Sequence, residues 1–259
     1  MPRFAANLSM MFTEHDFLDR FARARTAGFE AVEFLFPYEH PAGEIRARLD
    51  DAGLQLVLFN APPGDPALGE RGLASLPGRE ERFRDSVLRA LDYAGALGCP
   101  RLHLMAGIAP VGIERERLVA TFANNLLWAA ERCAAQGVLP VIEPINHRDV
   151  PGYMLNTTAQ AASLIEAVGR GRVGLQFDLY HAQVTEGDIT RKFEALLPLI
   201  AHAQMADTPG RHEPGTGEVN WPFVFRRLDA MGYGGWIGCE YRPAGQTEDG
   251  LAWFAPWRP

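Results

Sequence analysis

Lysine is almost missing from this chain. Lys192 is the only one, and every other basic side chain is arginine. A barrel enzyme that works through a Schiff base needs an amine at its mouth. Lys192 follows Gly187-Asp188-Ile189-Thr190, which reads as a helix start and not as a strand end, so that chemistry is set aside. Cysteine is nearly as scarce. Cys99, Cys133 and Cys239 are widely spaced and odd in number, with no CxxC pair, which removes zinc-type motifs and leaves reduced, buried thiols as the reading. No apolar run approaches the roughly 18 residues of a membrane span. The opening Met1-Pro2-Arg3-Phe4-Ala5-Ala6-Asn7 lacks the apolar centre of a secretion signal. Excess positive charge is absent too. The net charge is −7, against the clustered cations that a nucleic-acid partner requires. The expectation is a soluble, cytoplasmic protein without a nucleic-acid or membrane partner.

What is present is a rhythm. Within 259 residues, 47% of them hydrophobic, eight short β-rich runs recur at 4–8, 31–36, 54–60, 101–105, 139–143, 173–178, 200–204 and 236–240. Amphipathic stretches lie between them, as at 14–27 (Phe17, Leu18, Phe21), 79–97 (Phe83, Val87, Leu91, Ala94) and 114–136 (Leu118, Phe122, Leu126, Ala130). Gly28, Gly53, Gly98 and Gly137 suit helix C-caps. Strands alternating with helices imply parallel pairing. Eight such units in about 250 residues predict a closed (β/α)8 TIM barrel, one domain over 1–259, in preference to an open doubly wound sheet. No GxGxxG follows the first run, so a dinucleotide fold lacks its fingerprint. Two proline- and glycine-rich loops, 60–78 and 207–221, break the rhythm after predicted strands, which places both at the catalytic face of a barrel.

Four consecutive strands end in a polar residue: Glu143, Asp178, Gln204 and Glu240. Each run is otherwise apolar, and a buried carboxylate is costly unless it is paired, protonated or bound to metal. Side chains alternate along a strand, so these four converge on half of the barrel rim. Three carboxylates there repel one another. Either a divalent cation neutralises them, with hard oxygen ligands suiting Mg or Mn, or one of them holds a proton through a raised pKa. The competing reading makes them N-caps of the following helices. His181 lies three residues beyond Asp178 and is placed to orient substrate or shuttle a proton. Arg211, in the second long loop, is placed to clamp a substrate carboxylate. His103 and His202 lie inside strands and are read as packed core residues.

Several runs carry a resemblance. They are Phe4-Ala5-Ala6-Asn7-Leu8-Ser9-Met10, Val32-Glu33-Phe34-Leu35-Phe36-Pro37-Tyr38, Leu76-Pro77-Gly78-Arg79-Glu80 and Ile142-Glu143-Pro144-Ile145-Asn146. With them stand Pro151-Gly152-Tyr153, His212-Glu213-Pro214-Gly215-Thr216-Gly217-Glu218 and Gly235-Trp236-Ile237-Gly238-Cys239-Glu240-Tyr241. From end to end the chain resembles the hydroxypyruvate isomerase family, within the xylose-isomerase-like barrels. The resemblance implies that Glu143 and Glu240 are a proton donor/acceptor pair. It also implies that Glu143, Asp178, Gln204 and Glu240 mark a metal position, and that the substrate is a small anionic hydroxy-keto acid. Many such relatives carry histidine where this chain has Gln204, a weaker ligand, so the cation is expected to be held less tightly. Two sister activities share the pattern. One interconverts hydroxypyruvate and tartronate semialdehyde (2-hydroxy-3-oxopropanoate), the first reading. The other acts on 2-oxo-tetronate (2-dehydrotetronate), one carbon longer. A keto-sugar 3-epimerase is a further alternative. The abasic-DNA nucleases among related barrels need more histidine and a basic groove. A homo-oligomer suits the family, though the sequence marks no interface.

Overall fold

The computed structural model describes residues 1–258. Eight parallel strands close into a barrel in chain order. They are β1 (Arg3–Asn7), β2 (Ala31–Glu33), β3 (Gln55–Asn60), β4 (Arg101–His103), β5 (Leu139–Ile142), β6 (Gly174–Asp178), β7 (Ile200–Met205) and β8 (Trp236–Cys239). Helices follow the strands: α1 (Arg20–Thr26), α2 (Ala42–Ala52), α3 (Glu80–Leu97), α4 (Arg115–Ala134), α5 (Thr158–Val168), α6 (Leu179–Thr185), α7 (Ile189–Leu196) and α8 (Trp221–Ala230). The expected eightfold repeat is thus the observed one. Most strands end within a residue of the reading, but β2 stops at Glu33, β4 at His103, and the helix expected from 14 begins as a 3-10 turn at Phe17–Asp19 before α1. In β2 the chain leaves the sheet because the Leu35 N–H turns to the Ser9 hydroxyl at 2.8 Å.

The two-residue period of a strand explains where the core and the polar layer lie. One set of strand residues, including Phe4, Ala6, Val32, Leu102, Ile142, Leu175, Phe177, Ala203, Met205, Ile237 and Cys239, joins the helices in the main hydrophobic core. The alternate set begins apolar, with Ala5, Ala31, Val57, Val141 and Trp236 in a small separate cluster. Two residues further along the same face it turns polar: Asn7 follows Ala5, Glu33 follows Ala31, Glu143 follows Val141. His103, Gln176, Asp178, His202 and Gln204 share this buried polar layer with them. Gly238 on β8 is the exception that makes room, since a β-carbon there would collide with the Glu33 carboxylate.

Both long loops are built, not slack. In the first, Glu70 accepts from Arg82 at 2.8 and 2.9 Å and ties residues 60–78 to α3. In the second, the buried Asp207 carboxylate accepts from the backbone N–H groups of Thr208, Gly215, Gly217 and Val219 at 2.9–3.2 Å. Four backbone donors on one carboxylate fix the loop that carries Arg211, whose own backbone sits in the left-handed region at φ 58°.

Candidate active site

Glu143, Asp178, Gln204 and Glu240 come together at the C-terminal ends of β5 to β8, all of them buried. Glu143 lies one residue beyond β5 and Glu240 one beyond β8, while Asp178 closes β6 and Gln204 is the penultimate residue of β7. His181 and Arg211 join them. His181 Nε2 is 3.5 Å from Asp178 Oδ2 and 3.8 Å from Glu143 Oε1. Arg211 Nη2 is 2.6 Å from Glu240 Oε1 and 3.9 Å from Asp178 Oδ2. The six residues singled out from the sequence therefore occupy one place.

The N-cap reading of the carboxylates holds for half of one residue. Asp178 Oδ1 accepts from the Tyr180 N–H at 2.8 Å and starts α6, but its Oδ2 faces the cluster without a hydrogen-bond partner. Glu143 Oε1 is also unpartnered. Gln204 is fully engaged. Its Nε2 donates to Glu33 Oε1 at 2.8 Å and to Glu240 Oε2, and its Oε1 accepts from Gln176 Nε2 at 2.6 Å.

Sequence reasoning missed the tier beneath. Glu33, on β2, is buried and accepts from Asn7 Nδ2 at 2.9 Å and from His202 Nε2 at 2.6 Å, besides Gln204. His202 is buried as read, but against a carboxylate. His103 is buried as well, with both ring nitrogens unpartnered and Nδ1 3.6 Å from Glu143 Oε2. A signal existed: a charged or imidazole side chain on an inward strand face is as costly at 33, 103 and 202 as at 143.

Glu143, Asp178 and Glu240 thus face one guanidinium, Arg211, which also pairs with Asp149. Burial raises the pKa of Glu143 well above the ordinary carboxylate range, and repulsion from Glu240 and Asp178 raises it further. Burial likewise raises Asp178 and Glu240, with Arg211 pulling both back down. Burial drives the histidines the other way: His103 is pushed down to about 3, and His181 falls well below its ordinary value with Arg211 adding to the effect. Both imidazoles are neutral at physiological pH.

Over the cluster, two loops are clasped. Arg211 Nη1 reaches Asp149 Oδ2 at 3.2 Å, and its guanidinium lies 4.9 Å from the centre of the Tyr180 ring. The Tyr180 hydroxyl accepts from Arg148 Nη2 at 3.0 Å and donates to Asp149 Oδ1 at 3.2 Å.

The donor set fits a divalent cation. One carboxylate oxygen from each of Glu143 and Asp178 and a ring nitrogen of His181 all lie within 4.8 Å of one another. Two buried carboxylate oxygens without partners are what a hard cation would satisfy. Among the described residues, no helix is long and apolar enough to cross a membrane.

A family model described as "Xylose isomerase-like TIM barrel" matches residues 21–257. A Cupriavidus necator protein named 2-oxo-tetronate isomerase is 56% identical over 257 residues, which is 99% of each chain. Escherichia coli (strain K12) hydroxypyruvate isomerase is 46% identical over 258 residues, 100% of each. Among solved structures, a Brucella melitensis protein described as AP endonuclease, family 2 superimposes with a TM-score of 0.98 at 50% identity, with full coverage of both chains.

Proposed function

Because this chain belongs to the xylose isomerase-like TIM-barrel family, we propose that its buried acidic cluster isomerises a small 2-oxo-3-hydroxy acid, with Glu143 and Glu240 as the acid/base pair. The observation that carries this is the meeting of two raised-pKa glutamates, two neutral histidines and one arginine in a single buried place. Groups so perturbed, set within reach of one another, are the usual equipment of proton transfer.

Both candidate substrates contain the same unit, a C2 ketone next to a carboxylate and a hydroxyl-bearing C3. One glutamate removes the C3 proton, leaving an enediol, and the other delivers a proton to C2. The hydroxyl proton passes from O3 to O2, so the product carries its carbonyl at C3. The reaction needs one ionised and one protonated glutamate. Burial leaves both above the ordinary carboxylate range, and the ion pair with Arg211 pulls Glu240 back toward its ionised form more than it does Glu143. A divalent cation held by Glu143, Asp178 and Glu240 would supply charge stabilisation for the oxygens of the enediolate. The Gln204 oxygen expected to join them is spent on Gln176, and its amide nitrogen faces Glu240 instead. Arg211 and His181 are the groups for the substrate's carboxylate and reacting oxygens.

The sequence reading puts the three-carbon acid first. The 56% identity of the Cupriavidus necator relative moves the four-carbon 2-oxo-tetronate ahead. Hydroxypyruvate stays as the second reading, supported by the Escherichia coli relative at 46%. The nuclease named for the Brucella melitensis protein finds little support in a chain of net charge −7 with one lysine.

The test is turnover of 2-oxo-tetronate and hydroxypyruvate side by side, with and without chelator, by the native chain and by Glu143→Gln and Glu240→Gln. Each substitution should lower kcat by at least about a thousandfold, because neither half of the proton transfer has a substitute. Near-normal rates in both variants would overturn the mechanism, and a higher kcat/KM for hydroxypyruvate would reverse the substrate order.

A further inference from the structure

We propose that Asn146 is a positioning residue that keeps His181 in the tautomer with its proton on Nε2, which makes His181 a hydrogen-bond donor to the reacting oxygen and not a metal ligand. The inference rests on the isomerase reading for its catalytic half only. Its structural half stands on the hydrogen bonds around the ring.

A neutral imidazole has one nitrogen that donates and one that accepts, and a fixed partner on one decides the other. His181 Nδ1 faces Asn146 twice, the side-chain Nδ2 at 2.6 Å and the backbone N–H at 3.4 Å. A backbone N–H can only donate. A side-chain amide could be turned over, presenting oxygen in place of nitrogen. Here its oxygen is already committed, because Asn146 Oδ1 accepts from the Asp149 N–H at 2.8 Å. The NH2 group therefore points at the ring. The segment is itself fixed, since the Ile145 N–H donates to the Leu155 carbonyl at 2.9 Å and Asn156 Nδ2 donates to the Ile145 carbonyl at 3.2 Å.

With two donors on Nδ1, the proton sits on Nε2. That nitrogen looks toward Asp178 Oδ2 at 3.5 Å and Glu143 Oε1 at 3.8 Å. Both separations exceed a good N–H···O bond, and both oxygens are unpartnered. A nitrogen that carries its proton has no in-plane lone pair for a cation. It can donate to a substrate oxygen that enters beside the two carboxylates, and that bond strengthens as the oxygen gains negative charge in the enediolate. Asn146 touches no reacting atom and acts through His181.

The experiment is 15N NMR of the protein carrying labelled histidine, with His181 assigned by its loss in His181→Gln. The expected spectrum shows an unprotonated Nδ1 and a protonated Nε2, with and without Mg2+. Asn146→Asp should reverse the tautomer, because a carboxylate on Nδ1 accepts, and Asn146→Ala should leave a mixture. In both variants kcat should fall about 10- to 100-fold while KM changes less. A protonated Nδ1 in the unsubstituted protein overturns the proposal, as does loss of the Nε2 proton when Mg2+ is added. So does unchanged kcat in a variant whose tautomer has reversed. The spectrum of the unsubstituted protein decides the structural half even where a variant fails to fold. If the native chain turned over neither acid, the isomerase reading would fall and the tautomer would still be readable.

Discussion

Arg211 and Glu240 meet at 2.6 Å through Nη2 and Oε1, and the other arm of the same guanidinium reaches Asp149 at 3.2 Å. One side chain thus ties a carboxylate of the barrel rim to the loop that covers it. The planar fork of arginine serves two partners at once, which a lysine ammonium on a single stem does poorly. Arg211→Lys keeps the charge and should still lower kcat/KM for either acid by about 10-fold or more. Steady-state kinetics will check this, and wild-type values would remove Arg211 from the site.

His103 gives a test that separates function from stability. Both of its nitrogens are buried without partners, and each orphaned polar group costs about 1–3 kcal/mol. His103→Leu replaces it with hydrocarbon of similar bulk. The variant should melt at the wild-type temperature or a few degrees above it, while kcat/KM falls at least about 10-fold. Parallel loss of melting temperature and activity would make His103 a packing residue only.

The raised carboxylates set the pH dependence of stability. A carboxyl group whose folded pKa lies above its unfolded value, as for Glu143, Asp178 and Glu240, favours the protonated, folded state. Its contribution is fully present below the unfolded pKa, near 4, and is lost as pH rises through the folded pKa. His103 and His181, held neutral with lowered pKa values, act the other way below about pH 6.5, so the chelated protein should lose melting temperature from about pH 7 upward. Added Mg2+ or Mn2+ binds the folded state and should restore it, more at pH 8 than at pH 5. Thermal melts across this range, with chelator and with metal, give the answer, and a metal effect equal at both pH values would contradict it.

Glu33 should matter although it lies a layer below the reacting groups. Glu33→Gln keeps the shape but turns one of two acceptors, Oε1 for Gln204 at 2.8 Å or Oε2 for His202 at 2.6 Å, into a donor. Gln204 also contacts Glu240, so misplacement passes upward. A fall in kcat of about 10-fold, with a shift in the pH–rate profile, is expected. An unchanged profile would confine Glu33 to a structural role.

How much of this was legible in the sequence differs by layer. The eight strands were visible because each is a short apolar run between periodic helices, and the barrel follows from their number and order. Glu143 and Glu240 stood out because each ends such a run. The lower tier did not. Glu33 sits inside Ala31-Val32-Glu33-Phe34, and its carboxyl group is held by Asn7 on the adjacent β1 and by His202 and Gln204 on β7, 169 and 171 residues away in the chain. Only closure of the barrel brings the β7 pair against β2. The Asn146–His181 contact was hidden for the same reason, since 35 residues separate the two in the chain. The boundaries of β2 and β4 were overcalled because Phe34, Leu35, Leu104 and Met105 remain apolar after the ladder has ended.

The bare position at Gly238 has a consequence for how this centre can change. Its missing side chain is what leaves room for the Glu33 carboxyl group in the interior of the barrel, so residues 33 and 238 are sterically coupled. Alanine at 238 would push the Glu33 carboxyl group off its place against Asn7, His202 and Gln204. A change at 238 is therefore read out two strands away in the hydrogen bonds of residue 33, and the pair varies most freely when both change at once.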